Sequence, residues 1–188
     1  MAIKTEASMG LDRFIHVIPG VITPENCRRI LDMMPNDAWD VSGQGSNSTD
    51  PQLRNCDTFD ISAHKDQAPW NEVNTIVFSA INTAWRAYYL QHLDFRINMD
   101  TGYELLRYPT GTRCLEHVDS YDQRPRTVSC SIALNNDYEG GRFTFFDGQV
   151  KHRVPAGSAL MFPSNFMYPH GVEEITRGTR YSIITWLV

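Results

Sequence analysis

Two segments in the first half of the chain carry apolar residues at helical spacing. The first begins after Thr23-Pro24, which has the pattern of an N-cap residue followed by proline at the first helical position. Its apolar residues fall at i, i+3, i+4 and i+7: Cys27, Ile30, Leu31 and Met34. The second predicts a helix from about Pro69 to His92, with the stripe Trp70, Val73, Val77, Ile81, Ala84, Trp85 and Tyr88. Both stripes predict helices that pack one face against a core.

Between the helices, residues Ala38–Ser42 and Cys56–Ser62 are predicted strands. Residues 43–55 join them and are rich in Gly, Ser, Asn and Asp, which indicates a loop. Loops longer than about 12 residues are uncommon and often act as lids or are disordered. This segment is therefore a candidate lid.

From Tyr103 onward the pattern changes to short apolar runs separated by glycine, proline and asparagine. The predicted strands are Tyr103–Tyr108, Cys114–Val118, Thr127–Leu134, Arg142–Phe146, Val150–Val154, Ala159–Phe162, Gly171–Ile175 and Arg180–Leu187. Many short strands at this spacing are typical of a β-sandwich or barrel. The sequence thus predicts a mainly β fold with flanking α-helices.

Composition places limits on partners and location. The 188 residues suffice for one domain with a sizeable core. A net charge of −5 argues against a nucleic-acid partner. The N-terminal residues lack a signal-peptide core, and no stretch approaches the roughly 18 apolar residues that a membrane span needs. We therefore expect a cytoplasmic protein without membrane contact, with a monomer as the default.

The four cysteines change this picture little. None of them forms a CxxC pair, so the sequence does not indicate a zinc ribbon or a thioredoxin-type redox site. Reduced thiols are the expected state in an intracellular protein.

The segment 115–120, LEHVDS, offers candidate metal ligands. Residues two apart on a strand point to the same side, so His117 and Asp119 can reach one metal ion. His170, just before a predicted strand, is a candidate third ligand. Two histidines and one carboxylate leave three positions of an octahedral metal free. An HxD pair by itself is common, and the alternative for each histidine is an ordinary surface or hydrogen-bonded side chain.

Arg180 follows His170 by ten residues and begins the last predicted strand. If its side chain points inward, a buried guanidinium needs an anionic partner, because an unpaired buried charge is costly. Its planar pair of donors matches a carboxylate, so a dicarboxylate could bridge the metal and this arginine. The alternative is an exposed arginine on an edge strand.

These motifs resemble the 2-oxoglutarate- and Fe(II)-dependent dioxygenases, in their prolyl 4-hydroxylase-like branch. The resemblance covers roughly Tyr103 to Val188. Its motifs, in order, are Tyr108-Pro-Thr-Gly111, His117-Val-Asp119, Gly140-Gly141, Pro155-Ala-Gly157-Ser-Ala-Leu-Met-Phe162 and His170-Gly-Val to Arg180-Tyr181. The family implies a double-stranded β-helix, which is a cupin-like jelly roll. It also implies Fe(II), 2-oxoglutarate and O2, with ascorbate as an optional reductant, and hydroxylation of an unactivated C–H with release of succinate and CO2.

The resemblance also assigns roles to residues. His117, Asp119 and His170 match the iron ligands, and Arg180 matches the residue that pairs with the 5-carboxylate of 2-oxoglutarate. Further matches are Tyr108, beside the cosubstrate, and Trp186, in the lining of the pocket. Several relatives carry a second tyrosine where this chain reads SCSIALN, so we expect a serine such as Ser131, or a water, to replace it. The whole of residues 1–188 is expected to form one domain, with helical support over about 1–100 and the catalytic core over about 101–188.

The substrate expected from the family branch is C4 of a prolyl residue in a peptide or protein. Arg54 and Asn55, at the end of the long loop, are candidate contacts to the substrate backbone. Related nucleic-acid demethylases carry an arginine where this chain has Trp186, which argues against DNA or RNA. A free amino acid or another small molecule remains an alternative substrate, and a non-catalytic cupin-like binding module is an alternative function.

Overall fold

A computed structural model describes residues 7–34, 39–41, 55–92, 97, 99–123 and 125–188. The predicted helices are confirmed as α1, Pro24–Asp32, and α2, Trp70–His92. The hydroxyl of Thr23 accepts a hydrogen bond from the backbone N–H of Asn26 (3.2 Å), so it caps α1 as the sequence predicts. Two short 3₁₀ helices, Ala7–Phe14 and Ser62–His64, complete the helical part of the described residues. Among the residues described, no helix combines the length and apolar character needed to cross a bilayer.

The described residues form thirteen strands, most of them short. They are β1 His16–Ile18, β2 Asp40–Val41, β3 Asp57–Asp60, β4 Glu104–Pro109, β5 Cys114–His117, β6 Val128–Ala133, β7 Glu139–Gly140, β8 Phe143–Phe145, β9 Val150–His152, β10 Ala159–Pro163, β11 His170–Val172, β12 Ile175–Arg177 and β13 Thr179–Leu187.

The strands form two main antiparallel sheets. The larger sheet has the order β1-β10-β6-β13-β4-β3-β2, and the smaller has the order β5-β11-β8-β9. Strands β12 and β7 form a separate two-stranded sheet. Neighbours that are distant in sequence, such as β6 and β13, show that the chain winds back and forth between the sheets. This is the architecture of a double-stranded β-helix flanked by helices, as predicted.

The large sheet is buried on both faces. Its outer face joins α2 in one apolar cluster, which includes Ile183 and Leu187 of β13. Its inner face packs on the small sheet in a second cluster, where Phe162 of β10 contacts Phe145 of β8 with ring centroids 4.9 Å apart. Because side chains alternate along a strand, the intervening residues of β13 point inward toward the small sheet.

One predicted strand, Gly171–Ile175, is divided in the structure. Strand β11 already begins at His170 and ends at Val172, and β12 begins at Ile175. The break arises because the Glu173 N–H bonds the Arg142 carbonyl (3.0 Å) and the chain then leaves β8 to pair with β7. Of the predicted lid, residues 43–54 lie outside the described residues.

Candidate active site

Two histidines face each other across neighbouring strands of the small sheet. His117, the last residue of β5, is the direct partner of His170, the first residue of β11. Their ring centroids are 4.5 Å apart. Asp119 lies two residues beyond His117, and one ligand atom from each of the three residues lies within 4.8 Å of the others. The structure therefore brings together the three residues that were predicted from the sequence as candidate metal ligands.

The two imidazoles point the same nitrogen at the Asp119 carboxylate. Nε2 of His117 is 3.4 Å from one carboxylate oxygen, Oδ1, and Nε2 of His170 is 3.4 Å from the other, Oδ2. On the far side of each ring, Nδ1 lies near a backbone carbonyl: Leu115 at 2.9 Å and Tyr168 at 3.1 Å. A proton on Nδ1 that donates to this carbonyl leaves Nε2 available to a metal.

Burial and the interactions among His117, Asp119 and His170 determine the protonation states of these three residues. Burial lowers the pKa of His170 to about 4, so its ring is neutral at physiological pH. Burial alone would raise the pKa of Asp119, but the hydrogen bond from His117 and the nearby imidazoles hold that pKa well below its usual range. For His117, burial lowers the pKa, yet contacts with Asp119 and Cys114 outweigh it and raise the pKa to about 10. An incoming metal ion would displace a proton from His117.

Arg180 is buried on the inner face of the large sheet, only 2% exposed. It pairs across the strands with Tyr108 of β4. Its Nη1 donates to the Ser182 hydroxyl (2.9 Å), whereas its Nη2 is buried with no hydrogen-bond partner among the described residues. The guanidinium carbon lies 5.3 Å from the Tyr108 ring and 5.2 Å from the Phe143 ring. A buried cation with an unused donor is a place for an anion.

Ser131 and Tyr108 lie on the same inner face of the large sheet as Arg180. Ser131 is 4% exposed, and its hydroxyl is buried without a hydrogen-bond partner among the described residues. Tyr108 is also buried. Ser131 lies directly opposite Ile184 of β13, two positions beyond Ser182 on that face. The inner wall therefore offers at least two unused polar groups, Arg180 Nη2 and the Ser131 hydroxyl.

Trp186 is half-buried, and an arginine covers its ring. The guanidinium carbon of Arg126 lies 3.4 Å from the Trp186 ring centroid. Arg126 also donates from Nη1 to the carbonyl of Asp119 (3.2 Å). The predicted pocket-lining tryptophan is thus tied, through Arg126, to the backbone of a candidate metal ligand.

Of the two residues predicted to contact substrate at the end of the long loop, only Asn55 is among the described residues. Asn55 is exposed, and its side-chain oxygen accepts a hydrogen bond from the Arg113 N–H (2.7 Å). It thereby anchors the chain just before β5, and its predicted contact with substrate stays a prediction. Arg54 lies outside the described residues.

Besides Arg126, three polar residues of the site were not selected from the sequence. Ser129 donates to the Asp119 carboxylate, Ser164 contacts Ser129, and Ser182 accepts from Arg180. The alternation of SCSIALN already placed Ser129 on the same face as Ser131. No local pattern indicated Ser164, because it lies in a loop and meets Ser129 only in the folded protein.

Comparison with known proteins shows which family the second half of the chain resembles. Residues 103–188 match the family model described as the 2OG-Fe(II) oxygenase superfamily. A PKHD-type hydroxylase of Polaromonas is 39% identical over 83 residues, which cover 38% of this chain and 36% of that protein. A PKHD-type hydroxylase of Acinetobacter baylyi is 28% identical over 92% of this chain and 77% of its own length. The comparisons thus relate residues 103–188 of this chain to the 2OG-Fe(II) oxygenase superfamily.

Solved structures of prolyl hydroxylases are similar to the chain in fold. A prolyl hydroxylase from Trichoplax adhaerens, solved with a peptide fragment of the hypoxia-inducible factor oxygen degradation domain, superimposes with a TM-score of 0.77. The match covers 96% of this chain and 86% of that one, at 17% identity. A Pseudomonas putida prolyl-4-hydroxylase gives a TM-score of 0.69 over 96% of both chains, at 18% identity. At this identity the likeness establishes the double-stranded β-helix fold.

Proposed function

We propose that this protein is an Fe(II)- and 2-oxoglutarate-dependent hydroxylase. In this proposal His117, Asp119 and His170 hold the iron, and Arg180 binds the far carboxylate of 2-oxoglutarate. The observation that carries the proposal is the buried Nη2 of Arg180, which has no hydrogen-bond partner in the described part of the chain and lies on the wall that the His-Asp-His group faces. A metal site alone would not require this cation, whereas a metal-chelating dicarboxylate would.

The donor set fits the metal that the family implies. Two imidazole nitrogens and one carboxylate oxygen are the ligand set of non-haem Fe(II) oxygenases, and they leave three positions open. When bound, the iron and 2-oxoglutarate together supply the O2-dependent oxidation of a C–H bond, with release of succinate and CO2. The protein contributes geometry and exclusion of water. Phe162 and Phe145, with ring centroids 4.5 and 5.8 Å from the His170 ring, form an apolar wall behind the ligands.

Two hydroxyls are placed to assist Arg180. Tyr108 lies directly across from Arg180 and could donate its phenolic O–H to the cosubstrate. Ser131, whose hydroxyl has no partner among the described residues, could donate a further hydrogen bond along the same wall. Binding of the dicarboxylate would then satisfy Arg180 Nη2 and the Ser131 hydroxyl, which are costly to bury without a partner.

We propose a prolyl residue of a peptide or protein as the substrate. Support comes from the PKHD-type relatives and from structural neighbours that are prolyl hydroxylases, one of them solved with a peptide. Trp186, half-exposed beside Asp119, together with Arg54 and Asn55, is a candidate contact for that peptide.

Anaerobic titration with Fe(II) and 2-oxoglutarate tests the assignment of cofactors. We expect a visible metal-to-ligand charge-transfer band from the chelate, and we expect Asp119→Ala to abolish it. Asp66→Ala, an exposed aspartate away from the site, is the matched control and should retain the band. A folded wild-type protein that shows no band would contradict the proposal.

The choice of substrate needs a separate experiment. Proline-containing peptides and free proline should each be incubated with enzyme, Fe(II), 2-oxoglutarate and O2, and the products examined by mass spectrometry. We expect one added oxygen atom on a prolyl residue of a peptide. Hydroxylation of the free amino acid with none in any peptide would favour the small-molecule alternative.

A further inference from the structure

A chain of two buried serines leads to the Asp119 carboxylate. Ser129, on the inner face of β6, is 3% exposed, and Ser164, in the loop after β10, is 1% exposed. The Ser129 Oγ lies 2.6 Å from Oδ2 of Asp119 and 2.8 Å from the Ser164 Oγ. A separation of 2.6 Å is typical of a hydroxyl that donates to an ionised carboxylate.

The chemistry of these groups fixes the direction of both hydrogen bonds. An ionised carboxylate only accepts, and a serine hydroxyl has a single proton to donate. Ser129 must therefore donate its proton to Asp119 and accept one from Ser164. The Ser164 hydroxyl thereby holds the Ser129 proton in the direction of the carboxylate.

Ser164 also holds the backbone next to Asp119. Its carbonyl accepts from the Ser120 N–H (3.0 Å), and its own N–H donates to the Thr127 carbonyl (3.0 Å). The same residue thus restrains Asp119 from two directions, through Ser129 at the side chain and through Ser120 at the main chain. Such a doubled restraint fixes the rotation of the carboxylate as well as its position.

The bond from Ser129 takes one of the two lone pairs of Oδ2, so Oδ1 is the carboxylate oxygen better placed to bind a metal. A carboxylate that bound through both oxygens would take a further position on the ion, one that the cosubstrate or O2 needs. The bond from Ser129 opposes this second mode, because the carboxylate would have to rotate and distort a short, buried hydrogen bond.

We propose that Ser129, oriented by Ser164, is a positioning residue that keeps Asp119 a single-oxygen ligand and so preserves the open positions of the metal. This inference rests on the proposed function, because it requires a metal at the His-Asp-His group. In this proposal the two buried serines position a metal ligand in addition to stabilising the fold.

The test compares Ser129→Ala with Ser129→Thr, which retains the hydroxyl. Mn(II) affinity is measured by the electron paramagnetic resonance of the free ion, and the 2-oxoglutarate chelate by the anaerobic Fe(II) charge-transfer band. We expect Ser129→Ala to weaken Mn(II) binding by roughly 10- to 100-fold, as for other residues that support metal ligands. At saturating Fe(II) its band should also be weaker, and Ser129→Thr should restore both.

Two further variants separate positioning from folding. Ser164→Ala leaves the Ser129 hydroxyl in place but removes its support, so we expect a smaller loss of Mn(II) affinity in the same direction. Ser158→Ala removes another buried serine, outside the site, and should change neither readout. Thermal unfolding of each variant shows whether the native fold is retained.

The outcomes distinguish this inference from the proposed function. If wild-type protein binds neither Mn(II) nor Fe(II) with 2-oxoglutarate, the proposed function fails. If wild type binds both, and folded Ser129→Ala and Ser164→Ala bind Mn(II) and give the band as wild type does, the positioning role is overturned. A loss in Ser129→Ala that Ser129→Thr reverses supports it.

Discussion

At the scale of single residues, Arg180 is a side chain that is costly to bury. Its guanidinium is buried among Tyr108 and Phe143, and one of its terminal nitrogens lacks a partner among the described residues. Burying a cation without a counter-ion is unfavourable, so this arginine lowers the stability of the ligand-free protein. Its presence is explained if an anion completes the site.

Arg180→Met should therefore separate stability from binding. Without 2-oxoglutarate we expect the variant to unfold at a temperature equal to or above that of wild type, because the buried charge is gone. With Mn(II) and 2-oxoglutarate present, the stabilisation seen in wild type should disappear. Loss of the charge partner costs about 2–5 kcal/mol, so the affinity for 2-oxoglutarate should fall roughly 30-fold or more.

Arg177→Met is the matched control for this prediction. Arg177 lies on β12 with its side chain 77% exposed, paired with Glu139 on the surface. Exposed pairs contribute little, so neither stability nor 2-oxoglutarate affinity should change appreciably. Wild-type affinity for 2-oxoglutarate in folded Arg180→Met would rule out its assigned role.

At the scale of elements, the two-stranded sheet of β7 and β12 supports Arg180 from behind. Gly141, just after β7, has a φ of +64°, and a Cβ added there would lie 2.5 Å from Cδ1 of Ile175 and 3.1 Å from Cδ of Arg180. Because Gly141 has no side chain, the aliphatic part of the Arg180 side chain can pack against its backbone. This explains physically why the family-like double glycine stands at this point.

Gly141→Ala should damage both the fold and the site. A left-handed backbone costs a non-glycine residue about 1–2 kcal/mol, and overpacking adds about 1–3 kcal/mol, so we expect a loss of about 2–5 kcal/mol in the free energy of unfolding. Displacement of Arg180 should weaken 2-oxoglutarate binding as well. Denaturant unfolding and the anaerobic titration measure the two effects.

Gly20→Ala provides the comparison for Gly141→Ala. Its φ is +69°, but an added Cβ would meet nothing within 4 Å. Only the backbone cost of about 1–2 kcal/mol should appear, with cosubstrate affinity unchanged. Equal losses of stability in both variants, with equal affinity, would refute the steric explanation.

The helices and strands also show how much of the secondary structure could be predicted from the sequence. Helix α2 and the longer strands were predictable because each repeats its pattern over many residues. Strands β1 and β7, with three and two residues, were missed, since so few positions carry no recognisable period. The predicted strand Gly171–Ile175 was wrong in its extent, because its division depends on hydrogen bonds to Arg142 and to β7, which are distant in sequence.

At the scale of the whole molecule, the four cysteines report on the integrity of the core. All four are buried thiols: Cys27, Cys56, Cys114 and Cys130. Burial raises the pKa of Cys130 to about 12 and also raises that of Cys27. A raised pKa reduces the reactive thiolate, to about one part in ten thousand for Cys130 at pH 8.

Alkylation should therefore require unfolding. At pH 8 we expect Cys130 and Cys27 to react with iodoacetamide far more slowly in native protein than in urea-unfolded protein. Peptide mass spectrometry after timed quenching identifies each site. Equal rates in the two states would show that the core between α2 and the large sheet opens readily.

The candidate site was predictable only where its residues follow a local sequence pattern. His117 and Asp119 share a face by strand alternation, and Arg180 follows His170 at a spacing that the family resemblance makes meaningful. The contacts of Ser129, Ser164 and Arg126 could not be read in this way. Each of them depends on how strands and loops meet in three dimensions.

The direct pairing of His117 with His170 has a further consequence for the stability of the protein and its resistance to proteolysis. The two residues are 53 positions apart (170 − 117), so an unfolded chain seldom holds them together. An ion bound between them would then favour the folded state by mass action, by about 2.7 kcal/mol at one hundred times its dissociation constant. The persistence of this protein against proteolysis would thus follow the supply of iron, independently of how much of it is synthesised.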